Sequence, residues 1–165
     1  MAYHITDPRV GSQAIDETSD TLRHKLGTIV RAADPTYGEG EFIYLLGVAS
    51  TVVGSVVTWD PLTHQTTLAA AGTGLPRAVA FAMSANLAAG YGWYQISGKA
   101  IASKAATICC VANAAVAVKT TGLISKTGSL AELQGALCAA TASAKTGVIT
   151  VLLAINRPHF QGRIT

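Results

Sequence analysis

The 165-residue sequence has little charge of either sign and few aromatic residues. Only 13% of its residues are charged, about half the usual fraction, and 6% are aromatic. A disordered chain would be rich in charge and poor in Val, Ile and Leu, and a coiled coil needs Glu, Lys and Leu at heptad spacing. The composition therefore excludes both classes, and the length suits one domain, or a small domain with an arm.

Long apolar runs are also missing. The first twenty residues carry five charged side chains and no apolar core of a signal peptide, so we expect no secretory signal. The most apolar stretch, residues 78–89, consists mostly of Ala and is interrupted by Ser84 and Asn86. It predicts no membrane span, and we expect no membrane partner.

Cysteine and histidine do not occur at metal-binding spacings. The three cysteines, Cys109, Cys110 and Cys138, form an odd number, and adjacent cysteines do not easily bridge each other. We expect buried free thiols in a protein made inside a cell. The four histidines are scattered singly, so the sequence predicts no metal site, and no cofactor is expected.

Motifs of known enzymes are incomplete. The glycine-rich stretch 92–98 before Lys99 has the wrong glycine spacing for a phosphate loop, and Ala100 replaces the metal-binding Ser or Thr. Two Lys-Thr-Gly triplets occur without the Ser-x-x-Lys motif of serine acylases. Carboxylates are nearly absent after Asp60, so an acid–base pair would have to come from the first sixty residues. We expect that the protein is not an enzyme.

What the sequence has in abundance is small residues. Half of its residues are apolar, but 29 of them are Ala, and Gly contributes another 16 residues. A chain of small residues with so few charges is typical of a β-rich protein that hides much of its surface against partners.

The charges that are present are distributed unevenly. Residues 1–60 carry eight acidic and four basic side chains, whereas residues 61–165 carry eight basic side chains and one acid, Glu132. This division fits a mildly basic body with an acidic leader, or head-to-tail complementarity between one copy and another surface. The bases occur singly, without a run of Lys or Arg, so we expect no direct binding of nucleic acid.

The chain divides near Pro35. Residues 1–35 are polar, and residues 19–30 would suit a short amphipathic helix, but we favour an extended N-terminal arm that lies on another surface. Residues 36–165 have short β-branched and aromatic runs between Gly, Thr and Asn turns, which predict a mainly β body, a compact barrel or sandwich. The predicted strands are residues 41–49, 52–59, 64–69, 77–84, 91–97, 99–103, 107–111, 114–119, 122–126 and 147–155.

Segment 129–144 fits two structures. Ser129 and Glu132 have the spacing of a helical capping box, whereas Gly135 interrupts a helix and the Ala-rich part after it suits a strand. We favour a strand from Gly135 onward.

Two segments are candidates for contact with a partner. Residues 91–98 are aromatic, and they are either a core strand whose rings fill space or an interface strand, because Trp and Tyr anchor protein contacts. Residues 156–163 contain Pro158 and no acid, which predicts a short C-terminal tail, either a docking segment or a frayed end. Together with the arm, these segments supply the interface candidates Tyr3, His4, Arg9, Tyr91, Trp93, Tyr94, Arg157, His159 and Phe160.

The body resembles the capsid decoration, or cement, proteins of tailed bacteriophages over roughly residues 37–163. The strongest part of the resemblance is the run Tyr-Gly-Trp-Tyr-Gln-Ile-Ser-Gly at residues 91–98. It is accompanied by Gly-Val-Ala at 47–49, Arg-Ala-Val-Ala at 77–80 and Asn-Arg-Pro-His at 156–159. The family shares no functional residues that can be transferred position by position.

The resemblance implies a β-barrel or β-tulip-like body and a structural role in a virion. Such a protein is made in the host cytoplasm, sits on the capsid exterior as a homo-oligomer, and bridges subunits of the major capsid protein. The sequence does not choose between trimer and dimer. The alternative is a tail- or fibre-associated adhesion module, which would bind carbohydrate or cells and expose aromatic residues such as Trp93.

Overall fold

The computed structural model describes residues 3–5, 13–70, 77–105, 110–126, 132–142 and 149–161, and all regular structure in these ranges is β. The expected mainly β fold is confirmed. Among these residues no helix is long and apolar enough to cross a membrane. The strands are β1 (His4–Ile5), β2 (Thr18–Ser19), β3 (Ile29–Asp34), β4 (Gly38–Leu46), β5 (Val56–Trp59), β6 (Thr66–Leu68), β7 (Val79–Ala82), β8 (Tyr91–Lys104), β9 (Ala115–Thr120), β10 (Leu123–Lys126), β11 (Glu132–Cys138) and β12 (Ile149–Phe160).

Five strands close into a barrel in the order β8, β10, β9, β11, β12, because β12 also pairs with β8. The closing pair is antiparallel and runs from Ile149 opposite Lys104 to Asn156 opposite Ser97. Inside the barrel, Ala100 and Ala102 of β8 are fully buried. A five-stranded barrel is narrow, so small side chains on one strand leave room for larger ones on the strands opposite.

Strand β8 runs through two parts of one continuous sheet. Its first half pairs with β4, which pairs with β3, and its second half forms part of the barrel wall. The strand passes from the outer part of the sheet to the barrel wall at a register shift opposite Glu41 and at Gly98, whose φ is +100°. A Cβ atom on Gly98 would lie 2.5 Å from the carbonyl oxygen of Glu39, so only glycine fits this bend.

Strands β5, β6 and β7 enclose a second core next to the barrel. Strand β7 pairs with β8, β5 lies between β7 and β6, and a bridge from Gln65 to Leu46 leads back to β4. The enclosed side chains include Leu45, Val57 and Tyr94, all fully buried. The outer strands therefore form a packed unit that is continuous with the barrel through β8.

The first 35 residues were expected to form an arm, and their described part is instead tied into the sheet. Strand β3 pairs with β4 along its whole length, from Ile29 opposite Ile43 to Asp34 opposite Gly38. Its buried residues alternate with its more exposed ones, which is the period of a strand with one covered face. Residues 19–30 form no helix.

The C-terminal part of the body differs from expectation. The strand favoured from Gly135 onward is present, but as β11 it begins at Glu132 and ends at Cys138. Strand β12 continues through residues 156–160, where a tail was predicted. Pro158 is accommodated because the register shifts here: Ala136 lies opposite Ile155, whereas Gln134 lies opposite His159. The prediction that a tail begins at residue 156 is therefore wrong.

The predicted strands otherwise overlap the observed ones. Predicted strands 91–97 and 99–103 are one strand, β8, and most of predicted strand 107–111 lies outside the described residues. Cys110 and Cys138 are buried, as expected, and Cys109 lies outside the described residues.

Candidate functional site

The structure divides the nine interface candidates into buried and exposed residues. Trp93 and Tyr94 are fully buried, and Tyr3 and Phe160 are nearly so. Tyr91 is half-buried, and Arg9 lies outside the described residues. The burial of Trp93 and Tyr94 favours the core interpretation of the aromatic strand. The exposed candidates, which stay available for contact, are His4, Arg157 and His159.

Trp93 lies in an aromatic cluster under the N-terminal segment. Its ring packs edge-on against Tyr44 at a centroid distance of 4.9 Å and lies 5.3 Å from the His24 ring. Burial raises the pKa of the Tyr44 hydroxyl. Edge-to-face aromatic pairs add stability beyond the apolar area they bury, so this cluster is a structural anchor.

Gln13 binds the N-terminal segment to this aromatic cluster. Its side-chain oxygen accepts a hydrogen bond of 2.8 Å from the Tyr44 hydroxyl, and its Nε2 donates to the Glu17 carbonyl, also at 2.8 Å. Its backbone N–H donates to Nε2 of His24, and its carbonyl accepts from Nε1 of Trp93. Nearly every polar group of this buried glutamine therefore has a partner, and Gln13 is fixed against the aromatic cluster.

Polar side chains on both faces of β8 also bind groups within the protein. Nδ2 of Asn86 donates to the Tyr94 hydroxyl at 3.0 Å, and burial raises the pKa of Tyr94. Gln95 donates from Nε2 to the carbonyls of Ser97 and Lys99, where the strand bends into the barrel. The Gln95 bonds stabilise the bend, whereas Oδ1 of Asn86 and Oε1 of Gln95 are buried without a hydrogen-bond partner.

One surface cleft collects exposed residues from distant parts of the chain. At its apolar end is a cavity of about 170 Å³, which we call the Trp59 slot; its walls are the side chains of Ile29, Ile43, Trp59, Val79, Ile96 and Pro158, with Ala78 and Arg157 at its border. Next to it, Trp59 and Ala78 also line an open groove of about 700 Å³ together with Asp60, Gln65, Thr67 and Arg77.

Two arginines flank this cleft in different electrostatic settings. Arg157 donates from Nε and Nη2 to one oxygen of Glu41, both at 3.1 Å, and Nε of Arg31 lies 3.7 Å from the other oxygen. Arg77 is exposed, and the described residues provide no ion-pair partner for it. The Arg77 guanidinium is therefore available for an acidic partner.

A rigid turn beside the groove displays a leucine. Leu62 is 88% exposed, and its N–H and that of Thr63 both donate to Oδ1 of Asp60 at 2.8 Å. These two hydrogen bonds favour the charged carboxylate and lower the pKa of Asp60. Because two hydrogen bonds to Asp60 hold the turn, the backbone from which the Leu62 side chain extends into solvent has a fixed conformation.

A second turn presents two valines in a similar way. Val52 and Val53 are about half exposed, at 50% and 46%. The N–H of Val52 donates to Oγ of Ser55, the N–H of Ser55 donates back to the Val52 carbonyl, and the Thr51 hydroxyl donates to the Val48 carbonyl. Apolar side chains on two pinned turns are suited to protein contact.

Sequence reasoning identified Arg157 and His159 but missed Trp59, Leu62 and Arg77. Asp60-Pro61 is a turn signal in the sequence, and an Asp side chain that accepts from the backbone two residues on would predict a fixed backbone at Leu62. No local sequence pattern predicts the Trp59 slot, because the residues that line it come from six different strands.

The described residues hold no group of three or more His, Cys, Asp or Glu side chains placed to bind a metal ion. Comparison of the chain with known protein families, with curated proteins and with solved structures finds no match. Structural evidence for a function therefore comes from the geometry of the cleft and of the two turns.

Proposed function

We propose that this protein is a capsid decoration, or cement, protein of a tailed bacteriophage. It binds the outer surface of the head as a homo-oligomer and bridges neighbouring subunits of the major capsid protein. The resemblance of residues 37–163 to that family suggests the role. Its physical support is the combination of a closed barrel with exposed apolar residues on surface turns whose backbone is held by hydrogen bonds.

The single observation that carries the proposal is the Leu62 turn. An isolated leucine that is 88% exposed costs little in a folded protein, but here two hydrogen bonds to Asp60 hold the backbone at Leu62 in one conformation. A backbone that is ordered before binding loses less entropy on contact, which favours affinity. Many such contacts on one shell reinforce each other through avidity.

The low charge of the chain agrees with this role. Only 13% of its residues are charged, and a surface that is permanently covered by coat subunits needs few charges to stay soluble. A structural role on the capsid requires no catalytic group, so the protein is proposed to act by binding alone, on the capsid exterior.

The test is binding of the purified protein to expanded capsids of the phage that encodes it. We expect Leu62→Ala to weaken binding about tenfold, with an unchanged circular dichroism spectrum, since hot-spot truncations cost more than about 1 kcal/mol. Leu137→Ala is the matched control, because Leu137 is 45% exposed on β11 and should leave binding unchanged. Purified virions that lack the chain by mass spectrometry would overturn the proposal.

The alternative function, an adhesion module, is favoured by one observation. Trp93 is buried, but Trp59 is partly exposed in a groove with Asp60, Thr67 and Arg77, a mixture of ring and polar groups that suits a sugar. Adhesion predicts that oligosaccharides shift the tryptophan fluorescence of the purified protein and that Trp59→Phe weakens this shift. A spectrum that no oligosaccharide changes would exclude the alternative.

A further inference from the structure

Leu87 is a large apolar side chain on a short turn at one end of the outer sheet. It is 72% exposed. The turn is closed by hydrogen bonds from the Gly90 N–H to the Leu87 carbonyl at 3.1 Å and from the Gly47 N–H to the Gly90 carbonyl at 2.6 Å. Ala89 has a positive φ of 61°, which tightens the turn further. Leu87 is therefore projected from the surface by a well-held backbone.

The surroundings of Leu87 are acidic. Leu87 and Asp20 line the same shallow depression, where Ser19 of β2 pairs with Tyr91 of β8. Asp16 and Glu17 precede this strand and are exposed. We call the surface formed by Asp20 and Leu87 the acidic knob.

The Trp59 slot has the complementary properties. A cavity of about 150 Å³ holds a benzene molecule, so the slot of about 170 Å³ has room for one leucine side chain. Arg77 lines the groove that adjoins the slot, and Ala78 borders both. A single partner surface could therefore place an apolar side chain in the slot and an acidic side chain against Arg77.

The acidic knob and the slot of one chain are too far apart to meet. Tyr91 marks the knob end of β8 and Ile96 lines the slot, and five residues of extended strand span about 17 Å. Both surfaces are carried by the same fixed strand, so the knob can reach only the slot of another copy.

We propose that this protein associates with itself by inserting Leu87 of one copy into the Trp59 slot of a second copy. In the same contact Asp20 pairs with Arg77 across the interface. Opposite charges at the rim set the register, and the buried leucine supplies most of the binding energy. The inference rests on the homo-oligomer of the proposed function, but it does not depend on coat binding.

Symmetry limits the assemblies that this contact can build. Copies related by a twofold axis make the contact twice, and copies related by a threefold or higher axis make it once with each neighbour around a closed ring. In each case every knob and every slot is occupied, so the assembly ends at a defined size.

Charge reversal tests the contact on the purified full-length chain. We expect sedimentation velocity to give an oligomer for the unmodified chain and a shift of about tenfold or more in its dissociation constant for Asp20→Arg and for Arg77→Glu. The double variant Asp20→Arg/Arg77→Glu should regain association, since the pair is restored with its charges exchanged. Failure of the double variant to recover, or a chain that is monomeric at all concentrations, would overturn the inference.

A second pair of variants tests the apolar part. Leu87→Ala should weaken association by about tenfold or more, and Leu137→Ala, an exposed leucine on the outer wall of the barrel, should not. Circular dichroism confirms that each variant is folded. An oligomer that Leu87→Ala leaves unchanged would place the interface elsewhere and overturn the inference, while capsid binding and its dependence on Leu62 would be unaffected.

Discussion

Nε1 of Trp93 donates a hydrogen bond of 3.0 Å to the backbone carbonyl of Gln13, eighty positions earlier in the chain. This contact joins the N-terminal segment to β8, the strand shared by the barrel and the outer part of the sheet. The same glutamine accepts from the hydroxyl of Tyr44, so the residue that closes the aromatic cluster comes from the segment least expected to belong to the core.

Replacing Gln13 by Ala should destabilise the protein. The change removes the acceptor of the buried Tyr44 hydroxyl and the bond to the Glu17 carbonyl, and an unsatisfied buried hydroxyl costs about 1–3 kcal/mol. Chemical denaturation followed by tryptophan fluorescence should show a free energy of unfolding lower by about 2–3 kcal/mol. Gln161→Ala, at an exposed position after β12, is the control and should change it by less than about 0.5 kcal/mol. Equal effects of the two changes would contradict the anchoring role of Gln13.

Deleting residues 1–35 should prevent the body from folding normally. A separable arm would leave the body intact, but the deletion removes β3 and Gln13 and uncovers Phe42, Tyr44 and Trp93. We expect red-shifted tryptophan emission and the loss of a cooperative thermal transition, since a sheet without its covering strand exposes large rings. A truncated chain with an unchanged far-ultraviolet circular dichroism spectrum and melting temperature would show instead that residues 1–35 are an independent arm.

Gly98 and Gly38 form a matched pair for testing the bend in β8. Both have positive φ, +100° and +79°, but a Cβ at Gly98 would meet the Glu39 carbonyl at 2.5 Å, whereas nothing lies within 4 Å at Gly38. Gly38→Ala should therefore cost only the backbone strain, about 1–2 kcal/mol, and Gly98→Ala distinctly more. Thermal or chemical denaturation measures both, and equal losses would mean that the bend tolerates a side chain.

The conformation of the Leu62 turn should depend on pH, because the Asp60 carboxylate holds the turn. Two backbone N–H bonds lower the pKa of Asp60 below its ordinary value of 3.8, so the carboxylate stabilises the turn above that value. This contribution is lost as the pH falls through the lowered pKa. The amide proton shifts of Leu62 and Thr63, followed by NMR, should titrate with a midpoint below 3.8, and Asp60→Asn should abolish the titration. A midpoint at or above the ordinary value would contradict the pinned turn.

The fold class was predictable because strand signals are local. The turns at Asp60-Pro61 and near Gly122 separate β-branched runs in the sequence, and the structure contains strands on both sides of each. The alternation of Trp93 with Tyr94 likewise predicted that the two rings face different ways, and they lie in different cores.

The wrong predictions for residues 29–34 and for residues 156–160 have a common cause. Pro158 normally ends a strand, but Gly135 has a φ of +77° in the strand opposite and permits a bulge that accepts it. Residues 29–34 alternate like a strand, yet a strand is recognised in a leader only when its partner, here β4, is known. Pairing between distant segments overrides what either segment suggests alone.

The sequence by itself determined that the chain is β-rich and low in charge, and that its cysteines have no metal-binding spacing, because composition and period-two patterning express these properties directly. The tertiary structure decided which aromatic residues are buried and which stay accessible. It closed five strands into a barrel, buried Trp93 under Gln13, and placed Trp59, Arg77 and Pro158 around one cleft. These outcomes depend on strand order and register, which join residues as far apart as 116 positions, for Arg157 and Glu41, and therefore leave no local trace in the sequence.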